Sequence, residues 1–208
     1  MSRSLLTFGA SVLIALAATA ALDAASRSAA LAQSRNPLTN ERATVRPAPA
    51  WANTSWLNTP EGRPVTLQSL RGRVVLLNFW TFTCWNCTGT IPSLVDYDRK
   101  YRDQGLTIIG IHRPEFPPYA GEHDRGNVAK ALEQYHIAYP NAQDNDHATW
   151  DLYDIQYWPS YALIDRRGNI RFEGAGEFHV GDAWYDQWQD RIRGLLAEPY
   201  QGGVGSEK

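Results

Sequence analysis

Residues 73–87 read RVVLLNFWTFTCWNC and join an apolar run to a Cys-x-x-Cys motif. The run Arg73–Trp80 is nearly continuous, which is typical of a strand buried on both faces of a sheet. Residues 84–102 then place apolar side chains at helical spacing, so the two cysteines lie where a helix begins. A Cys-x-x-Cys motif between a buried strand and a helix is a far more specific signal than the spacing alone.

Strands and helices alternate along the rest of the chain. Apolar runs predict strands at 106–111, 161–164 and 170–172, and a turn at 165–168 joins the last two. Further helices are predicted at 126–137, 146–153 and 181–197. This order predicts an α/β fold whose central β-sheet is mixed and carries helices on both faces.

The first segment, residues 1–32, has the features of a secretory signal peptide. Arg3 precedes an apolar run that extends to Leu22, and Ala30-Leu31-Ala32 is a candidate cleavage site. The run is long enough to approach a membrane span, so an uncleaved anchor is the alternative. In either case we expect a periplasmic or otherwise extracytoplasmic protein, soluble after cleavage and membrane-anchored without it.

A polar stretch follows at residues 33–50 and ends in Pro47-Ala48-Pro49. This composition predicts a linker, or else a disordered start of the mature chain. The folded domain is then expected over residues 51–198. A Gly-rich, flexible tail is expected at 199–208.

Composition excludes several classes of protein. Hydrophobic residues make up 43% and charged residues 20% of the 208 residues, which is a globular composition. A net charge of -2 shows no electrostatic footprint for nucleic acid. The five histidines have no paired spacing and Thr88, not His, follows Cys87, so neither zinc nor covalent haem is indicated. We therefore expect no metal and no cofactor.

The chemistry of the motif follows from its place in the chain. Cys84, at a helix N-terminus, faces unpaired backbone N–H groups and the positive end of the helix dipole, which favour a reactive thiolate. Cys87, one turn later, is expected to be more buried and to resolve a mixed disulfide. A structural disulfide between the two remains an alternative, although so short a loop gives little entropic stabilisation.

The chain resembles the thioredoxin superfamily, in particular the extracytoplasmic TlpA/ResA-like group and, most closely, the DipZ-type domain. The resemblance covers residues 51–198 and predicts a thioredoxin-like fold. It rests on the central strand Val74–Trp80, the active-site segment Thr81–Cys87, Pro92 in the following helix, the segment His112–Phe116, and Trp158-Pro159 ahead of the strand Tyr161–Asp165.

The resemblance implies a thiol-disulfide oxidoreductase that acts on protein substrates, more as a reductant than as an oxidant. It implies that Pro159 is a cis-proline beside the dithiol, where an extended substrate strand pairs with the backbone; an ordinary trans bond is the alternative. Trp85, Asn86 and Trp158 would contact the substrate. Trp80 could join this aromatic surface or belong to the core.

Glu115 is the expected proton acceptor for Cys87, directly or through water, with a solvated loop residue as the alternative. Asn78 stands where cytoplasmic thioredoxins have a buried acid, which increases the need for Glu115. Thr83 departs from the tryptophan that commonly precedes the first cysteine. We also expect a separate membrane electron donor and an N-terminal membrane tether if the first segment is not cleaved.

Two other functions remain open at this point. A thiol peroxidase would use Cys84 against peroxide; Thr81 has the appropriate spacing, but Leu77 stands where such enzymes have proline. A non-catalytic binding module would keep the cysteines as a structural disulfide and use the tryptophan-rich face.

Overall fold

The computed structural model describes residues 35–36, 41–51, 53–117 and 121–200. The predicted signal peptide and residues 201–208 of the predicted tail lie outside these ranges. The strands are β1 (Arg35–Asn36), β2 (Glu41–Pro47), β3 (Trp56–Leu57), β4 (Val74–Trp80), β5 (Leu106–His112), β6 (Asn141–Gln143), β7 (Ser160–Ile164) and β8 (Asn169–Ala175). The helices are α1 (Trp85–Tyr101), α2 (Arg125–Gln134), α3 (Ala148–Leu152) and α4 (Ala183–Ala197).

The described strands form one mixed sheet in the order β1-β2-β8-β7-β4-β5-β6-β3. The central strand β4 pairs in parallel with β5 and antiparallel with β7. This confirms the predicted mixed sheet.

The side chains of β4 alternate between two cores because successive residues of a strand point to opposite faces. Leu76 and Trp80 pack into the core under α1, α2 and α4. Leu77 and Phe79 pack into the core under α3 and the segment 51–70. Helices therefore cover both faces, as predicted. All seven residues of β4 are buried, and each large apolar side chain buried in this way contributes about 1.5–3 kcal/mol.

The predicted linker is wrong for residues 41–47. They form β2, which pairs antiparallel with β8, so the sheet begins before residue 51. The register shifts between Ala43 and Arg46, and the Arg46 guanidinium meets Glu173 at 2.6 Å across the two strands. The polar sequence that indicated a linker is the sequence of a strand near the sheet edge.

Three loops leave the sheet at the same edge. Trp80, the last residue of β4, pairs with His112, the last residue of β5. Phe79 pairs with Ser160, the first residue of β7. The chain before Cys84, the chain after His112 and the Trp158-Pro159 pair therefore lie side by side. None of the helices in the described ranges has the length and apolar character needed to cross a bilayer.

Candidate active site

Cys84 is the N-cap residue of α1, and Cys87 lies in the first turn of that helix. The Cys87 N–H donates a hydrogen bond to Cys84 Sγ over 3.3 Å. Cys84 is partly exposed, whereas only 2% of the Cys87 surface is exposed. Neither thiol is bonded to another cysteine in this structure.

The pKa of one thiol is lowered from its ordinary value, and the pKa of the other is raised. Hydrogen bonds from the Cys87 side chain and from the backbone N–H groups of Cys87 and Asn86 outweigh burial and lower the pKa of Cys84 to about 7. Burial raises the pKa of Cys87 far above its ordinary range, and the hydrogen bond to Cys84 raises it further. At neutral pH Cys84 is therefore substantially a thiolate, while Cys87 keeps its proton.

Of the residues predicted to contact the substrate, two are exposed beside Cys84 and one is buried. Trp85 is 85% exposed beside Cys84, and Asn86 is exposed next to it. Pro159 is buried, its peptide bond with Trp158 is cis, and its carbonyl accepts a 2.9 Å hydrogen bond from the Gly176 N–H. Trp85 thus offers an apolar surface beside the nucleophile.

Trp158 is held from two sides. Its ring lies 4.3 Å from that of Trp150 between centroids, and the Arg113 guanidinium lies 4.7 Å from its centroid. Its indole N–H donates to the Arg113 carbonyl over 3.2 Å. A cation–aromatic contact of this kind stabilises by about 0.5–2 kcal/mol, so the Trp158 side chain is held in one position. Trp80 belongs to the core: it is fully buried and donates to Asn141 Oδ1 over 3.1 Å.

Glu115 lies exposed on the loop after β5. Within the described residues no hydrogen bond joins its carboxylate to either thiol. Glu115 therefore acts on the thiols through its charge. The Cys87 hydrogen bond dominates the pKa of Cys84 and burial dominates that of Cys87, and the charge of Glu115 raises both. Asn78, below the site, is buried and its Oδ1 accepts no hydrogen bond from the described residues.

No motif in the sequence indicated Glu122, which is completely buried at this edge. Its Oε1 accepts hydrogen bonds from the hydroxyls of Thr81 and Thr83, the latter at 2.5 Å. Its Oε2 accepts from the backbone N–H groups of Glu115 at 3.1 Å and Phe116 at 2.7 Å. No local pattern marks this residue, because the Thr81 and Thr83 donors come from another loop and the Glu115 and Phe116 N–H groups reach it only through the fold of its own β5–α2 connection.

Glu122 carries a negative charge at neutral pH, whereas His112 is uncharged. Burial raises the pKa of Glu122, but the hydrogen bonds from Thr81, Thr83 and Phe116 and the nearby His112 ring outweigh it and keep the pKa below its ordinary range. Burial lowers the pKa of His112 to about 4 although the Glu122 charge opposes this, so the ring is neutral at pH 7. Glu122 is therefore a buried carboxylate without a cationic partner in the described cluster.

Among the described residues, no three His, Cys, Asp or Glu side chains gather as a metal site would require. The Thr81 hydroxyl, which the peroxidase alternative would direct at Cys84, donates to Glu122 instead.

The fold and the paired thiols define a thioredoxin-like protein with the two-cysteine site of a thiol-disulfide oxidoreductase. The chain belongs to the AhpC/TSA family, whose family model matches residues 46–173. The resemblance seen in the sequence is confirmed.

Several known proteins are similar to this chain in sequence or structure. Protein DipZ of Mycobacterium tuberculosis is 45% identical over 149 residues, which are 72% of this chain and 20% of DipZ. The thiol-disulfide oxidoreductase YkuV of Bacillus subtilis is 27% identical over 144 residues, 69% of this chain and 89% of YkuV. The solution structure of a thioredoxin-like protein in its oxidised form is similar with a TM-score of 0.63 at 26% identity, over 75% of this chain and 98% of that one. This chain therefore spans only about a fifth of the length of DipZ.

Proposed function

We propose that the protein reduces disulfides in other proteins outside the cytoplasm, with Cys84 as the nucleophile and Cys87 as the resolving thiol. The observation that carries this proposal is the asymmetry of the pair. The accessible thiol has a pKa of about 7, and its partner is buried and protonated. A structural disulfide would need no such difference.

The exchange proceeds in two displacements. The Cys84 thiolate attacks one sulfur of the substrate disulfide and forms a mixed disulfide, and the other substrate sulfur leaves as a thiolate that takes up a proton. Cys87 then loses its proton and attacks Cys84 Sγ, which releases the second substrate sulfur. Two electrons pass to the substrate, which gains two thiols, while the Cys84–Cys87 dithiol becomes a disulfide.

Glu115 supports the second displacement. Cys87 must lose its proton although its pKa is high, and Glu115 is close enough for its charge to act on both thiols. The Glu115 carboxylate would take up this proton through an intervening water. Trp85, Asn86, Trp158 and Pro159 form the substrate surface, with the Trp85 ring as the apolar contact and the Pro159 edge for an extended backbone.

The reducing direction is supported by the moderate acidity of Cys84. A strongly stabilised thiolate makes a protein an oxidant: the oxidant DsbA has a nucleophile pKa of about 3.5 and a potential of about -120 mV. Thioredoxin has a pKa of about 7 and a potential of about -270 mV. The pKa of Cys84, about 7, corresponds to the reductant.

The proposed location of the protein and its need for an electron donor both rest on the N-terminal segment. The apolar run after Arg3 would direct the domain outside the cytoplasm, where dithiols become oxidised unless a donor keeps them reduced. A membrane protein that passes electrons to the Cys84–Cys87 disulfide would complete the cycle.

The test is the reduction potential of the purified protein in glutathione buffers, combined with trapping of substrate. We expect a potential near or below about -270 mV, and a value near about -120 mV would reverse the proposed direction. A Cys87→Ser variant should accumulate mixed disulfides through Cys84, and a Cys84→Ser variant should form none. A pair that stays oxidised well below about -300 mV would instead indicate a structural disulfide.

A further inference from the structure

We infer that Glu122 is a positioning residue for Cys84, because its carboxylate fastens the β5–α2 connection, which carries both Glu122 and Glu115, to the loop that precedes the nucleophile. This role deepens the proposed function and rests on it for its biological meaning. The inference is drawn from four hydrogen bonds that converge on one buried carboxylate.

The first pair of bonds holds the approach to Cys84. Thr81 and Thr83 lie on the three-residue connection between β4 and Cys84, and both hydroxyls donate to Glu122 Oε1. The backbone of this connection makes two further contacts: the Cys84 N–H reaches the Thr81 carbonyl over 3.4 Å, and the Thr81 backbone bonds to the Cys87 thiol. The carboxylate therefore fixes the residue directly before the nucleophile.

The second pair holds the connection on which Glu122 itself lies. The N–H groups of Glu115 and Phe116 both donate to Glu122 Oε2. One carboxylate thereby sets the distance between the cysteine loop and the loop of the expected proton acceptor. A backbone N–H can only donate, so a carboxylate oxygen satisfies both groups where an amide nitrogen would not.

His112 completes the arrangement from below. Its Nε2 lies 3.4 Å from the Thr81 hydroxyl oxygen. The single hydroxyl proton of Thr81 goes to Glu122, so the neutral imidazole is the donor in this contact. The ring stacks on Phe82, 5.4 Å away between centroids, and so supports the middle of the same connection.

A buried carboxylate without a cation is expensive unless hydrogen bonds compensate for its desolvation. Here every bond that compensates it comes from one of the two loops that flank the thiols. Loss of the contact to Thr83 should let Cys84 Sγ drift from the Cys87 N–H, which lies 3.3 Å away. The pKa of Cys84 should then rise from about 7 toward its ordinary value.

The experiment compares Thr83→Val with Thr83→Ser. Thr83 is exposed, so valine should be accepted, and serine keeps the hydroxyl as the matched control. The readout is the rate of Cys84 alkylation by iodoacetamide between pH 5 and pH 9 in the reduced protein, with thermal unfolding measured alongside. Thr83→Val should slow alkylation at pH 7 by about five-fold, as a rise of one in the pKa would. Thr83→Ser should stay within about two-fold of the wild type.

A second background isolates Glu122. In a Glu122→Met protein the two Thr83 variants should alkylate at the same rate, because Thr83 acts through the carboxylate. If Glu122→Met fails to fold, the Thr83 pair alone decides. Equal alkylation profiles for Thr83→Val and Thr83→Ser would overturn the inference, including the case in which valine only lowers the melting temperature. Alkylation needs no protein substrate, so a wild type that reduces no disulfide would refute the proposed function without affecting this result.

Discussion

At the scale of single residues, the site depends on the placement of a few charges. The Cys84 thiolate is stabilised by hydrogen bonds from Cys87 and Asn86, and the Glu115 charge opposes it. The same charge is available to accept the Cys87 proton. Glu115 should therefore slow the first displacement slightly and speed the second.

These opposing effects of Glu115 can be tested, because removing its charge should speed Cys84 alkylation and slow disulfide reduction. Glu115→Gln removes the negative charge, so the pKa of Cys84 should fall and its alkylation at pH 6 should speed up by about two-fold. Disulfide-reduction turnover should fall by about ten-fold or more, because the proton acceptor is lost. Glu133→Gln, on an exposed position of α2, is the matched control. Unchanged turnover in Glu115→Gln would return Glu115 to the role of a solvated loop residue.

The exposed indole of Trp85 provides a second test at this scale. Trp85→Ala should leave the melting temperature nearly unchanged, since the side chain is 85% exposed. The KM for a protein disulfide should rise by about five-fold or more, because an aromatic anchor is removed from the interface. Steady-state kinetics would show this, with Val180→Ala as a control at another exposed apolar residue. An unaltered KM would exclude Trp85 from the docking surface.

At the scale of elements, the edge of the sheet gathers loops from β4, β5 and β7. Helix α2 begins three residues after Glu122, and its N-cap Asp124 accepts a 2.8 Å hydrogen bond from the Asn127 N–H. This cap fixes where the helix begins.

Capping of α2 can be tested separately from the chemistry. Asp124→Ala should lower the free energy of unfolding by about 1 kcal/mol, whereas Asp124→Asn should be nearly neutral. Urea denaturation measures both. Cys84 alkylation should change by less than two-fold in either variant, since neither touches the Glu122 contacts. A loss with asparagine equal to that with alanine would contradict the capping role.

The elements that were predictable are those whose own residues carry the signal. The apolar run of β4 and the spacing in α1 placed Cys84 and Cys87 correctly, because burial and the helix N-terminus are local properties. Strand β2 was missed because ERATVRP is polar and owes its structure to pairing with β8. Glu122 was missed because its contacts to Thr81 and Thr83 form only in the tertiary fold.

At the scale of the whole molecule, stability and the site share the buried His112–Glu122 cluster. The pKa of His112 is lowered to about 4 by burial, below its ordinary value of about 6.5. Between these values the unfolded chain binds more protons than the folded one, so stability falls as the pH falls through this window. The lowered pKa of Glu122 acts in the same direction at acidic pH.

This linkage predicts the shape of a stability profile. The free energy of unfolding should fall steadily as the pH is lowered from about 6.5 to about 4. His112→Gln should flatten that slope, even if it lowers stability at pH 7. Urea denaturation at several pH values gives the comparison, and His136→Gln at an exposed position should keep the wild-type slope. A slope in His112→Gln equal to that of the wild type would assign the acid sensitivity to other groups.

Because the two sulfurs differ in solvent access, chemical labelling of the cysteines can measure how much of the protein is unfolded. Cys84 and Cys87 are its only cysteines, one partly open to solvent and the other buried in the first turn of α1. A bulky maleimide should add one mass increment to each folded, reduced molecule and two to each unfolded molecule. Counting the doubly tagged fraction by mass spectrometry would then report the unfolded population in any buffer, including mixtures where no optical signal can be assigned to this protein.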